Sequence, residues 1–415
     1  MSDVAITPDI AAPLQPAQPA PRRRLDSTTW SIILAVSLCH MLNDVMQSLL
    51  AAIYPLLKAD FALDFWQIGA LTLAFQGTAS LLQPAIGIYT DKNPLPMSLP
   101  WASVLTFLGL MVLSVAGSYP TLLIGASLVG IGSAIFHPEA SRVARFASGG
   151  RYGTAQSLFQ VGGNFGTSLG PLLAAFIVVP LGRPAVAWFG VLALIAGFVL
   201  YRVGLWYRDI REELQARKAA DKTLPLPRAR VMWSIGILAF LVLTKNAYMA
   251  GMTSFYTFYL IDTFGLGTQA AQVKLFLFLG AVAVGTILGG PFADRFGPLT
   301  VIWVSILGVL PFTLLLPHAN LFWTGVLTVV IGVILASAFS AIVVFAQELL
   351  PGRVGMVAGI FFGLSFGLGG IAAALIGLAA DSHGIASVYH VLAWFPALGL
   401  LTIFLPKSAE LRRKS

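Results

Sequence analysis

Charge is scarce in this chain: only 10% of its 415 residues are Asp, Glu, Lys or Arg. Soluble domains carry about 25%, so a conventional water-facing surface is excluded. A single cysteine, Cys39, rules out an internal disulfide and any metal site built from several thiolates, and redox chemistry is not expected. No Gly-Lys dipeptide occurs, which removes the phosphate-binding loop of an ATP-driven pump. The string HPE from His137 lacks the second His of an HExxH zinc helix, and no Ser or Cys nucleophile motif accompanies it. No enzyme activity, cofactor or resident metal is therefore expected.

Apolar residues make up 57% of the chain, and they recur in runs of about 20, the length a helix needs to cross a hydrocarbon core of about 30 Å. The runs predict an all-α membrane protein with twelve transmembrane helices, over approximately 30–57, 66–90, 98–118, 120–146, 154–179, 185–206, 230–261, 270–294, 299–317, 320–348, 354–380 and 386–406. Residues 1–29 are rich in Ala and Pro, end in Arg22, Arg23 and Arg24, and read as a disordered cytoplasmic tail, not a signal peptide. With that tail inside, Lys58, Arg183 and Lys274 fall outside and Lys245 falls within a span. The remaining 21 of the 25 basic residues sit at the cytoplasmic side. This bias predicts both termini in the cytoplasm, and it accounts for the net charge of +8 without a nucleic-acid partner.

The longest cytoplasmic connection, 207–229, separates a first bundle of six spans (30–206) from a second (230–406), with a short cytoplasmic tail at 407–415. An internal repeat supports the division. GIYTDKNP from Gly87 and GPFADRFGP from Gly290 each place a Gly four residues before an Asp and a base, at Asp91 with Lys92 and Asp294 with Arg295. The same offset aligns Asn43 with Asn246, and an offset one shorter aligns RYG at Arg151 with RVG at Arg353. Two pseudo-symmetric halves follow.

These turns resemble the signature of the major facilitator superfamily between spans two and three. The first copy carries Asn93 and Pro94 where the family has a Gly and a second base, which predicts a weaker charge relay there; the second copy keeps Gly297. GTSLGP, from Gly166 through Gly170 to Pro171, resembles the family's span-five signature, whose small residues let helices approach; the resemblance implies exchange of substrate for protons. The Arg that the family carries in span four is replaced by Ala126. Further strings, HMLNDVMQSLLAAIYPLLK, FHPEASRVARFASGGRYGTAQSLFQVGGNFGTSLGP, FYTFYL and LASAFSAIVVFAQELLPGRVGM, are similar to the bacterial fosmidomycin resistance family within that superfamily. The resemblance implies a monomeric multi-pass transporter of the bacterial inner (plasma) membrane. Its cargo would be a small anionic antibiotic, with other drugs possible, and its driving ion the proton.

The residues that break the apolar pattern are the candidate site. Counting at about 1.5 Å per residue puts His40 about 15 Å and Asp44 about 21 Å into the membrane, and His137 about 16 Å and Glu139 about 13 Å. A charge at the bilayer centre costs about 2.5–3.5 kcal/mol on insertion scales, so these four are expected to line a cavity and to carry the coupled protons. Asn43 and Gln47 flank Asp44 on the same helix, and Pro138 can kink span four beside its acid. Glu139 has a second reading, a structural ion pair with Arg142. Lys245, near the midplane of span seven, is the candidate anion ligand, with hydroxyls from Tyr248 and Tyr256; a snorkelling or merely neutralising lysine is its alternative. Gln76, Gln160 and Asn164 are expected at the cavity or as glue between helices. Gly87, Asp91, Lys92, Arg142, Gly290, Asp294, Arg295, Glu348 and Arg353 are expected at a cytoplasmic gate, together with Gly166, Gly170 and Pro171 at the helix contact.

The rival function is an uncoupled or symport carrier of a small organic anion, since the inside-negative potential already drives anions outward. One charge across 100 mV is worth about 2.3 kcal/mol, and exchange for one proton doubles that to about 4.6. The midplane acids favour antiport. The orientation is tested by reporter fusions: a reporter within 207–229 is expected to read cytoplasmic and one beside Arg183 external. Opposite readings would reject the topology.

Overall fold

Each apolar run is helical in the computed structural model, which describes residues 27–63, 65–220, 224–407 and 410–411. Most of the predicted tails, 1–26, 408–409 and 412–415, lie outside the described residues. Among the described residues there is no strand. The first half contains α1 (Trp30–Ala52), α2 (Phe65–Lys92), α3 (Ser98–Val115), α4 (Tyr119–Ala147), α5 (Tyr152–Leu173) and α6 (Gly190–Ala220). The second contains α7 (Arg228–Phe264), α8 (Thr268–Phe296), α9 (Pro298–Ile306 and Leu310–Leu315), α10 (Leu321–Ala336 and Ala338–Leu349), α11 (Val354–His383) and α12 (Ile385–Leu392, then a 3-10 stretch Phe395–Phe404).

The differences from the predicted runs have local causes. The first run breaks at Ile53, after which Tyr54–Phe61 forms a separate short helix. In α9 and α12 the helix restarts at Leu310 and Phe395, each just before a proline that supplies no N–H to continue the ladder. By contrast Pro84, Pro138 and Pro291 lie inside α2, α4 and α8 without ending them. The predicted linker begins as helix, because α6 runs on to Ala220 through REELQARKAA, a run of strong helix formers.

Nine helical segments among the described residues are long and apolar enough to cross a membrane. The other three predicted spans are α2, α5 and α11, of 28, 22 and 30 residues. Even 22 residues reach about 33 Å. Of these, α2 and α5 are diluted by polar and small residues, whereas α11 is apolar over Val354–Gly369. Helix α2 lies against α11, and α5 against α8, so these helices face the opposite half instead of lipid alone. Elsewhere the surface is lipid-like, with Leu81 78% and Val115 79% exposed. Beyond α12, Glu410 accepts from the Lys407 N–H and pairs with Arg230 at 2.7 Å, which holds its carboxyl below the usual range.

Within the first half α1 packs along α5. The contact is close because Gly166 meets the Met41 carbonyl and Gly170 meets Ser48; the side chain of Pro171 lies outside the described residues. A Cβ on Gly166 would also come within 3.0 Å of the Met41 Cα. Gly166→Val is expected to push α1 from α5 and destabilise the protein by about 1–3 kcal/mol. Thermal unfolding in detergent checks this, and an unchanged midpoint would mean the helices are free to separate.

Candidate functional site

Successive turns of α1 bring His40 and Asp44 onto one face, and α4 carries His137 to the same point. His40 Nε2 stands 3.4 Å and His137 Nε2 3.6 Å from the Asp44 carboxylate. All three are buried, with relative exposures of 1%, 0% and 6% for His40, His137 and Asp44. The amides of Asn43 and Gln47 both donate to Asp44 Oδ1, at 3.1 and 3.2 Å. Ser133, one turn before His137, donates to Gln47 Oε1 at 3.0 Å and so ties α4 to α1. The far nitrogen of each ring is held by backbone: His40 Nδ1 donates to the Phe159 carbonyl at 2.7 Å, and His137 Nδ1 to the Ser133 carbonyl at 2.9 Å. Carbonyls have no proton to give, so each Nδ1 carries one.

Glu139 faces away from this cluster. It pairs with Arg142 Nη1 at 2.8 Å, and Arg142 Nη2 pairs with Asp91 Oδ1 at 2.7 Å. The guanidinium also donates to the Thr90 carbonyl and hydroxyl. Arg142 is only 2% exposed; a buried guanidinium is tolerable where its donors are matched in this way. Arg142 thus stands in for the base that Asn93 and Pro94 displace, and the first turn is the more heavily bonded of the two.

Both signature acids reach across to the opposite half. Asp91 accepts from the Gly355 N–H at 3.0 Å and the Met356 N–H at 2.8 Å, at the start of α11. Asp294 accepts from the Gly153 and Thr154 N–H groups at 2.7 and 2.9 Å, and from the Thr154 hydroxyl at 2.6 Å, at the start of α5. The first N–H groups of a helix have no partner within it and carry the positive end of its dipole, so a carboxylate is favoured there. Gly87 lies against Gly355, and Gly290 against Gly153, which brings the backbones close enough for these bonds. Arg145 adds a 3.0 Å bond to Gln347 across the same end. The halves are thereby fastened together at the end that carries Asp91 and Asp294. Lys92, Arg295 and Arg353 are exposed there, and Glu348 is half-buried.

Lys245 is half-buried and forms no ion pair among the described residues. Its Nζ stands 5.4 Å from the ring centre of Phe339. Phe339 packs on Phe362, and Phe362 on His137, at 5.1 and 5.4 Å between ring centres. Two phenyl rings thus stand between the lysine and the acid, and Lys245 and Asp44 form no ion pair in this conformation. The Tyr256 hydroxyl bonds Thr328, and Tyr256 and Tyr248 are both buried in the core of the second half. Gln160 donates to Asn164, and Asn164 to Thr286 on α8 at 3.4 Å; Gln76 is half-buried on α2.

Ser133, Thr90, Phe362 and Phe339 escaped the sequence reading. Ser133 lies four residues before His137 and was findable by helical spacing. The backbone donors at Gly153 and Gly355 have no side-chain signal, although both are the glycine of the RYG and RVG repeat.

Residues 36–374 match the Major Facilitator Superfamily. The chain is 57% identical over 379 residues to the fosmidomycin resistance protein of Escherichia coli (strain K12), covering 91% of this chain and 93% of that one. It is 38% identical over 406 residues to YfnC of Bacillus subtilis (strain 168), an uncharacterised MFS-type transporter, covering 97% and 98%. Among solved structures, the major facilitator transporter FucP in its outward conformation aligns with a TM-score of 0.71 at 16% identity, over 93% of this chain and 100% of that one.

The fastened end gives a measurable expectation. Asp294 is exposed, so Asp294→Asn should weaken its bonds by about 0.5–1.5 kcal/mol, a roughly two- to tenfold shift toward separation of that end. Asp91→Asn should shift it further, because Asp91 is buried and bound to Arg142. Thiol labelling of Ser157→Cys, which packs on Gly290, in a Cys39→Ser background reads the separation. Equal labelling in all three proteins would remove the acids from the gate.

Proposed function

The chain belongs to the major facilitator superfamily, and we propose that it exports a small anionic antibiotic of the fosmidomycin type, in exchange for protons, by alternating access between its two halves. The observation that carries the substrate is the near full-length likeness to a fosmidomycin resistance protein, 57% identical over 91% of this chain. On this reading the protein works as a monomer in the bacterial inner membrane, with both termini cytoplasmic, and takes other drugs as further cargo.

The geometry supports each part in turn. A phosphonate needs a positive partner in a place shielded from water, and Lys245 offers an ammonium that no carboxylate among the described residues engages. The adjoining Asn246 Nδ2 has no partner either and adds a donor. Proton exchange needs a buried group that gains and loses a proton, and the His40–Asp44–His137 cluster supplies it. Glu139, paired with Arg142 beside the fastened end, belongs instead to the gate with Asp91 and Asp294. Release of the Asp91 and Asp294 bonds would open the cytoplasmic side to take up drug, and their return would commit it to the outside.

On this reading, coupling between acid and base passes through the gate and the intervening phenyl rings. The test is fosmidomycin flux in proteoliposomes with pH and voltage gradients imposed separately. Drive by the pH gradient separates antiport from an uncoupled carrier, and the direction of proton movement separates it from symport. Asp44→Asn keeps size and hydrogen bonding but not charge, and is expected to abolish uphill efflux with insertion intact. Lys245→Gln is expected to weaken fosmidomycin binding more than about tenfold, or 1.4 kcal/mol, with Lys245→Arg keeping part of it. Equal loss for a neutral drug would mark Lys245 as structural.

A further inference from the structure

The orientation of the two imidazoles fixes more than their presence. Both Nδ1 atoms donate to backbone carbonyls, so in the neutral rings both Nε2 atoms are bare lone pairs. These lone pairs face the Asp44 carboxylate at 3.4 and 3.6 Å. Acceptor faces acceptor twice. The spacings exceed the roughly 2.7–2.9 Å of a charge-assisted N–H···O bond, as they should where no proton lies between the atoms. Asp44 cannot relieve both contacts by itself, because one carboxyl proton reaches only one ring. Moreover, Oδ1 is already turned toward the donors of Asn43 and Gln47, which favours a carboxylate there.

On the reading of the protein as a proton antiporter, we infer that the cluster loads two protons per cycle, one on each imidazole Nε2, while Asp44 stays ionised as their shared counter-charge. Loading turns both repulsive contacts into charge-assisted hydrogen bonds and takes the cluster from one negative charge to one positive. Unloading returns both protons to water on the other side, and no other bond forms or breaks.

The surroundings favour protons over a metal ion, although the three donor atoms lie within 4.8 Å of one another. Gly163 on α5 closes the side of the cluster: a Cβ there would come within 2.5 Å of His40 Nε2 and 2.9 Å of Asp44 Oδ2. His40 is stacked on Phe159 at 4.1 Å, and Phe362 of α11 covers His137. The rings reach different oxygens of the carboxylate, His40 facing Oδ2 and His137 Oδ1, so each contact takes one proton as it stands. From α1 the cluster meets Asn43 and Gln47, from α4 Ser133, from α5 the Phe159 carbonyl, and from α11 Phe362. On α6 the Ala196 carbonyl engages the neighbouring Cys39 thiol. Further along α4, Glu139 pairs with Arg142 at 2.8 Å, and Arg142 is shared with Asp91 of α2 at 2.7 Å.

Acid-minus-alkaline infrared difference spectra of the full-length protein in liposomes, with isotope-labelled histidine and no drug, identify the proton carriers. Besides the signals of the exposed His318, His383 and His390, the expected result is two further imidazolium signals, one lost in His40→Gln and the other in His137→Gln, with no protonated-carboxyl band that Asp44→Asn removes. Such a carboxyl band, with the imidazole signals unmoved by pH, would overturn the proposal. Should a glutamine variant of the cluster fail to fold, the spectrum of a protein with the exposed His318, His383 and His390 replaced by Gln still distinguishes imidazole from carboxyl carriers. Chelator-reversible zinc binding by calorimetry, lost in His40→Gln, would overturn it in favour of a metal site. In flux assays the proton-to-fosmidomycin ratio is expected to fall from two to one in each single variant. If no fosmidomycin moves while the spectra give two histidines, the drug assignment falls and the proton assignment stands.

Discussion

A carboxylate seated on the amino end of a helix from the opposite half is the contact on which this architecture turns. Asp91 on the start of α11 and Asp294 on the start of α5 use the same chemistry in mirrored positions. Four of the donors are backbone groups that helix geometry leaves open, joined by the Thr154 hydroxyl. The two ends are not equal in strength. Asp91 is buried and shares Arg142 with Glu139, whereas Asp294 is exposed and relies on Thr154 for its third bond. The pair of fasteners is thus asymmetric in its bonding.

Hydrocarbon imposes the rest of the arrangement. Polar side chains gather where another helix covers them, and α2 and α5 lie along the interface between halves, against α11 and α8. The acid cluster sits inside the first half and the lone base inside the second, with Phe362 and Phe339 between them. On the proposed reading, cargo and driving ion have separate seats.

The apolar runs carried the helices and their order, because lipid demands a continuous signal of about 20 residues. The ends were less legible. The break at Ile53 and the helical extension to Ala220 depend on packing and on helix propensity, which hydropathy does not register. Within the site, the composition of the polar stripe on α1 was readable from spacing, as was the possibility that Glu139 pairs with Arg142. The separation of Lys245 from Asp44 was not readable, because equal depth along two helices says nothing of which rings stand between them. Nor could the tautomers of His40 and His137 be read, since they are set by the carbonyls of Phe159 and Ser133.

The unequal chemistry of each fastener also sets how it is exposed to genetic change. On one side is a single carboxylate, which one codon change removes. On the other are main-chain N–H groups at Gly153, Thr154, Gly355 and Met356, which almost no substitution deletes, since proline alone among the amino acids lacks that hydrogen. Drift along the start of α5 and α11 is limited by the close approach at the two glycines and not by the bonding itself. Loss of the fastening by mutation should thus trace to the acids far more often than to the helices that receive them.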